Sequence, residues 1–131
     1  MTEQKLRRIK ILARIMQTLT FIYSILWFTF ALLSGSEAYE GGILAVIQNS
    51  PNAIPWFVLI IINIVSWGWE RTGGILFLIF GIFTFFFFGV ADGNEIVLFM
   101  ITIPFMISGI LSIIFWSYKT RHPNYFSKFH K

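Results

Sequence analysis

A chain of 131 residues carries material for one domain. Hydrophobic residues make up 56% of it and charged residues 12%, against roughly 45–50% and ~25% in soluble domains; a soluble fold would lack the charge to cover its surface, and lipid is the expected solvent. The formal charge of +4 is concentrated at the chain ends beside long apolar runs, which points to membrane orientation and away from nucleic acid, and the absence of cysteine excludes disulfides, thiolate catalysis, cysteine-ligated zinc and iron–sulfur clusters.

A spanning helix needs about 20 mainly apolar residues. The first candidate runs from Ile9 to Leu33, led by Lys5, Arg7, Arg8 and Lys10. It is too long for the apolar part of a signal peptide, despite the small residues Ser36 and Ala38 beyond it, and is expected to be retained. The basic residues alternate with Leu6, Ile9 and Ile11, an amphipathic start that anionic headgroups attract. Arg14 and Gln17 share adjoining parts of one face near the boundary, where Arg14 is expected to snorkel toward lipid phosphate.

A polar stretch follows, Ser34 to Asn52, broken by Gly35, Gly41, Gly42 and Pro51. Within it, residues 43–49 begin with an apolar run too short to span, expected either to lie at the interface or to extend the second helix. That helix covers residues 54–69, with Pro55 in its opening turn, where the first N–H groups have no intrahelical acceptor. Asn63, Ser66 and Glu70 recur on one face of it. Polar groups inside spans are costly and often functional, so this face is either a polar path for an ion or solute, or a set of bonds between helices.

Glu70, Arg71 and Thr72 are expected to form a short turn, with Glu70 either pairing with Arg71 or Arg14 or capping the exposed N–H groups at the start of the third helix around Gly73 and Gly74. The third span covers 73–90; Gly74 and Gly81 give one face that permits a close neighbour, and the Phe85–Phe88 run is expected to contact core and lipid. Asp92-Gly93 signals a tight turn. The fourth span covers 95–116. Ser108 and Ser112 sit at a spacing that allows tight helix contact, and Pro104 removes a backbone bond and kinks the helix. A basic tail covers 117–131; its His122 and His130 have no carboxylate nearby, so no metal site is expected there. No catalytic group and no cofactor site is expected anywhere in the chain.

The ten Lys and Arg residues fall before or just inside the first span, at Arg71, or after the fourth span. The opposite loops carry Glu37, Glu40, Asp92 and Glu95 and no base. The expected fold is therefore all-α: an integral membrane bundle of four transmembrane helices in the plasma membrane, with N and C termini cytoplasmic. Tyr39, Trp56, Trp67, Trp69, Trp116 and Tyr118 stand near the boundaries, suited to interfacial belts or to packing.

The stretch Trp67-Gly68-Trp69-Glu70-Arg71-Thr72-Gly73-Gly74-Ile75-Leu76-Phe77, continuing to Gly81-Ile82, resembles the junction of helices 2 and 3 in a family of small four-helix membrane proteins of unassigned activity. Arg8 to Ile15 and Ile110 to Lys119 are also similar to that family's ends. The chain departs from it at Gln48 to Asn52, where the family has a more apolar, His-containing run, so the resemblance implies nothing about that loop. Small multidrug transporters, also of four helices, place a carboxylate within the first span, and this chain has none there.

These features lead to a non-catalytic membrane protein acting through helix–helix contacts, as a homo-oligomer or as a small subunit of a larger membrane complex, with anionic lipid at its cytoplasmic face. The alternative is a small transporter or channel using Asn63, Ser66 and Glu70. An enzyme ranks behind both.

Overall fold

The computed structural model describes residues 3–36, 39, 42–88, 93 and 95–123, and among them there are helices and no strand. Four of the helical segments are long and apolar enough to cross a membrane.

Helix α1 (Glu3–Leu33) has 31 residues, about 46 Å at the α-helical rise, and so exceeds a hydrocarbon core of about 30 Å. It begins at Glu3, ahead of the expected Ile9. Lys, Arg and Leu are good helix formers, so the basic start continues the helix beyond the apolar stretch.

Helix α2 (Ile43–Asn49) runs through a 3-10 turn (Ser50–Ala53) into α3 (Ile54–Gly68). Pro51 and Pro55 stand at the openings of the 3-10 turn and α3. Residues 43–49 thus extend the second helix, and Ile43–Gly68 forms one candidate span. Asn49 fastens this extension: its Nδ2 donates to the carbonyls of Ala31 and Leu32 at 3.0 and 2.9 Å, acceptors that the end of α1 leaves open. A Cβ on nearby Gly35, whose φ is +137°, would lie 2.7 Å from Asn49 Oδ1, so both space and backbone require glycine there.

Helix α4 (Glu70–Phe87) differs from expectation at its start. Only Trp69, with φ −127° and ψ 80°, leaves the helical region. Glu70, Arg71 and Thr72 form the first turn of α4 rather than a loop, and Gly73 and Gly74 lie inside the helix. Past Phe88, the turn signal lies outside the described residues except for Gly93, whose φ is +97°.

A short α5 (Glu95–Val97) leads through a π turn (Leu98–Thr102) into α6 (Ile103–Arg121). Pro104 cannot supply the N–H that would reach the Met100 carbonyl in a regular helix; the Tyr23 hydroxyl of α1 donates to that carbonyl instead. A neighbouring helix thus satisfies the group that proline frees, as a helix surrounded by lipid would require. Residues 117–121, expected in the tail, continue α6. Lys128, His130 and Lys131 lie outside the described residues.

The four long helical segments pack in a ring in which α1 and α4 each touch α3 and α6. Arg14, Glu70 and Lys119 meet, which brings the start of α1, the α3–α4 junction and the end of α6 to one end of the bundle. The far half is packed with Trp56, Leu59, Phe77, Phe80, Ile101 and Phe105. Trp56 belongs to this core rather than to an interfacial belt, stacked between Trp27 at 5.1 Å and Phe88 at 5.7 Å. Outward positions carry large apolar side chains such as Leu26, Ile64, Ile79, Phe86 and Ile110.

Candidate functional site

The half of the bundle nearer the termini has a polar interior. Gln17, Thr20 and Ser24 of α1, Asn63 and Ser66 of α3, and Ser108 and Ser112 of α6 are all buried. On α1 these polar residues recur at three- and four-residue spacing, so one stripe faces inward. Thr20 Oγ1 and Ser108 Oγ lie 2.7 Å apart, and Asn63 Nδ2 donates to Ser24 Oγ at 2.9 Å and to the Leu59 carbonyl at 2.9 Å. Gln17 Nε2 donates to the Ser66 carbonyl and hydroxyl, each at 3.1 Å, and Ser66 Oγ lies 3.4 Å from Ser112 Oγ. The Ser66 carbonyl belongs to the last turn of α3, where acceptors lack helical donors, so Gln17 caps α3 from a neighbouring helix.

At the terminal end this layer meets charge. The Glu70 carboxylate is only 4% exposed, and its Oε1 accepts a 2.8 Å hydrogen bond from Lys119 Nζ, with Arg14 Nη2 at 3.8 Å. Arg14 Nη1 donates to Gln17 Oε1 at 3.0 Å, linking the charged cluster to the polar layer. Glu70 stands in the first turn of α4, where a helix dipole favours an anion; a position closing the second helix, as the sequence reading had it, would have opposed one. The expected cap on the N–H groups near Gly73 and Gly74 is replaced by the bond to Lys119. Arg71 is not its partner either, since its guanidinium lies over the Trp116 ring at 4.9 Å.

Asn63 and Ser66 do share an inward face with the polar stripe of α1. Asn63 Oδ1 receives no donor from the protein although the residue is 1% exposed. Its amide nitrogen is committed to the Leu59 carbonyl, so rotating the amide would not help. Ser108 and Ser112 bond to different helices, α1 and α3, while Gly109 between them faces α4.

The glycines of α4 make the closest approaches. A Cβ on Gly74 would lie 2.9 Å from the Gly109 carbonyl and 2.7 Å from Ile113 Cγ1, and one on Gly109 would lie 2.8 Å from the Gly74 carbonyl. Gly81 faces Met106. A Cβ on Gly73 would collide with the Ser66 backbone across the α3–α4 junction.

Sequence reasoning missed Lys119 as the partner of Glu70 and Gln17 as a cap. The pairs Ser24–Asn63, Thr20–Ser108 and Thr84–Thr102, the last at 3.1 Å, were missed as well. The polar residues inside α1 at Gln17, Thr20 and Ser24 were the available signal. Among the described residues no three His, Asp or Glu side chains gather as metal ligands would.

No curated protein and no solved structure matches the chain. A family model, the domain of unknown function DUF7670, matches residues 2–124. That range takes in all four long helices, and the chain belongs to this family.

Proposed function

We propose that this chain is a non-catalytic, multi-pass protein of the plasma membrane, with both termini cytoplasmic, that works through helix–helix contacts with further copies of itself or with a larger membrane protein. One observation carries the reading: its interior polar groups bond to one another across α1, α3 and α6. That arrangement fits a packed scaffold better than a wet path. The basic residues at the end shared by Arg14, Arg71 and Lys119 support the orientation through the positive-inside rule, and the Trp69-Glu70-Arg71-Thr72-Gly73-Gly74 junction supports kinship with small four-helix proteins. The test is in-membrane crosslinking followed by mass determination of the solubilised protein. A defined oligomer or a stoichiometric membrane partner is expected; a lone monomer in native membranes would overturn the reading. Cysteine labelling at residues 71 and 95 tests the orientation, with residue 71 expected to react only from the cytoplasmic side and residue 95 only from outside.

A second reading is a transport path along Asn63, Ser66 and Glu70, favoured by the acceptor Asn63 Oδ1 that the protein leaves without a donor. Asn63→Cys separates the two. Rapid reaction with a water-soluble thiol reagent supports transport, and protection supports the scaffold.

A further inference from the structure

The charged cluster at the terminal end holds more donors than the described residues use. Glu70 is the only carboxylate that the described contacts place there, and one of its oxygens serves both Lys119 and Arg14. A guanidinium carries five N–H donors and an ammonium three. Among the described residues Arg14 donates one hydrogen bond, to Gln17, and Lys119 donates one, to Glu70. The Arg14 and Lys119 side chains remain 44% and 37% exposed, while Glu70 is covered behind them. The cluster thus presents two adjacent cations outward with a net positive charge and unused donors, a geometry suited to a tetrahedral oxyanion.

The surroundings point to the source of that anion. On α1, Arg14, Phe21 and Phe28 recur every seven residues and so form one stripe. Phe21 meets Trp67 of α3 at 5.5 Å and Phe28 meets Phe57 of α3 at 6.2 Å, and Phe57, Ile64 and Trp67 are exposed. An apolar lane along the α1–α3 seam therefore leads away from the cations along the span, as an acyl chain does from its phosphate. Trp69, 70% exposed at the head of the lane, suits the headgroup layer.

We propose that Arg14 and Lys119 form a binding site for the phosphate of an anionic phospholipid, with Glu70 as the buried counter-charge that holds the two cations around one oxygen and with the α1–α3 seam receiving an acyl chain. The proposal rests on the reading of this end as a headgroup-level face. It does not depend on the oligomeric state, so crosslinking and lipid binding can fail separately.

Native mass spectrometry of the full chain, after exposure to equal amounts of phosphatidylglycerol and phosphatidylcholine, reads the selectivity. Retention of phosphatidylglycerol is expected to exceed that of phosphatidylcholine, by roughly fivefold for each cation engaged. Since Arg14→Gln with Lys119→Gln would strand the buried Glu70 carboxylate, the informative variant adds Glu70→Gln. This triple variant should fold and lose the preference. Phe21→Ala with Phe28→Ala should weaken lipid retention with the cations intact. Equal retention of both lipids by the native chain, or full selectivity in the folded triple variant, overturns the site. If inorganic phosphate displaces phosphatidylglycerol at millimolar concentration and the Phe variant retains lipid normally, the site takes a free anion and the lipid assignment is wrong.

Discussion

Between α4 and α6, Gly74 and Gly109 bring the two backbones together, each occupying the space where the other's Cβ would stand. Around α1 the means is the opposite: Gln17, Thr20 and Ser24 reach across to Ser66, Ser108 and Asn63 through side-chain hydrogen bonds. Lipid tails are as apolar as leucine, so burial alone gives helices little reason to associate in a membrane, and these two devices are the principal substitutes. They tolerate change differently. A close backbone approach fails on adding one carbon, whereas a shared hydrogen-bond network loses one bond at a time.

The sharpest way to break the contrast is at Gly73. Gly73→Ala sets a Cβ against the Ser66 backbone, which the one-residue link at Trp69 cannot move aside, and should cost about 3 kcal/mol or prevent folding, the upper range for overpacking. Gly81→Ala presses on Met106 Cγ at 2.6 Å while the Met106 backbone stays at ordinary contact distance, and should cost about 1 kcal/mol, the lower range for overpacking. Equilibrium unfolding in mixed micelles reads both, and equal losses would refute the backbone argument. Next comes the ionic end. Lys119→Ala leaves the buried Glu70 with Arg14 alone and should cost about 2 kcal/mol, below the usual figure for a broken buried pair because Lys119 is partly exposed. Glu70→Gln keeps an acceptor for Lys119 and should cost about 1 kcal/mol. The reverse order would mean that Lys119 is not the principal partner. Tyr23→Phe strips the donor from the Met100 carbonyl and should also cost about 1 kcal/mol, with amide exchange expected to accelerate near the π turn. The smallest effect is expected for the Ser24–Asn63 pair, where a double-mutant cycle with Ser24→Ala and Asn63→Ala should give a coupling of about 0.6 kcal/mol. A coupling near zero would show that Asn63 finds another partner once Ser24 is gone.

The four apolar segments were legible because length and hydropathy suffice to mark a helix that lipid can hold. The α3–α4 junction was not. Paired glycines read as a chain break in a local window, yet Gly73 and Gly74 are there because Ser66 and Gly109 come too close for a side chain; breaker and close-packing glycines look alike in sequence. The face shared by Asn63 and Ser66 followed from helical periodicity. Its partners did not, since Gln17 and Ser24 lie 49 and 39 residues from the groups they meet. Glu70 stood out in the sequence as a residue in need of a partner, but periodicity along one helix carries no information about α6, where Lys119 meets it. Trp56 stood near a boundary in the sequence and proved to be core, because its ring stacks between Trp27 and Phe88.

The bond from Asn49 to the carbonyls of Ala31 and Leu32 has a consequence for how this chain can be altered. By pinning the end of α1 to the extension that leads into α3, it makes the connection between them a closed loop with both feet fixed. Closing such a loop costs free energy that grows only with the logarithm of its length, about 0.6 kcal/mol for each doubling. An epitope or fluorescent label inserted between Ser36 and Gly42 should therefore leave the helices in register, while the same insertion at Trp69, where a single residue joins two helices, would drive Gly73 and Ser66 apart.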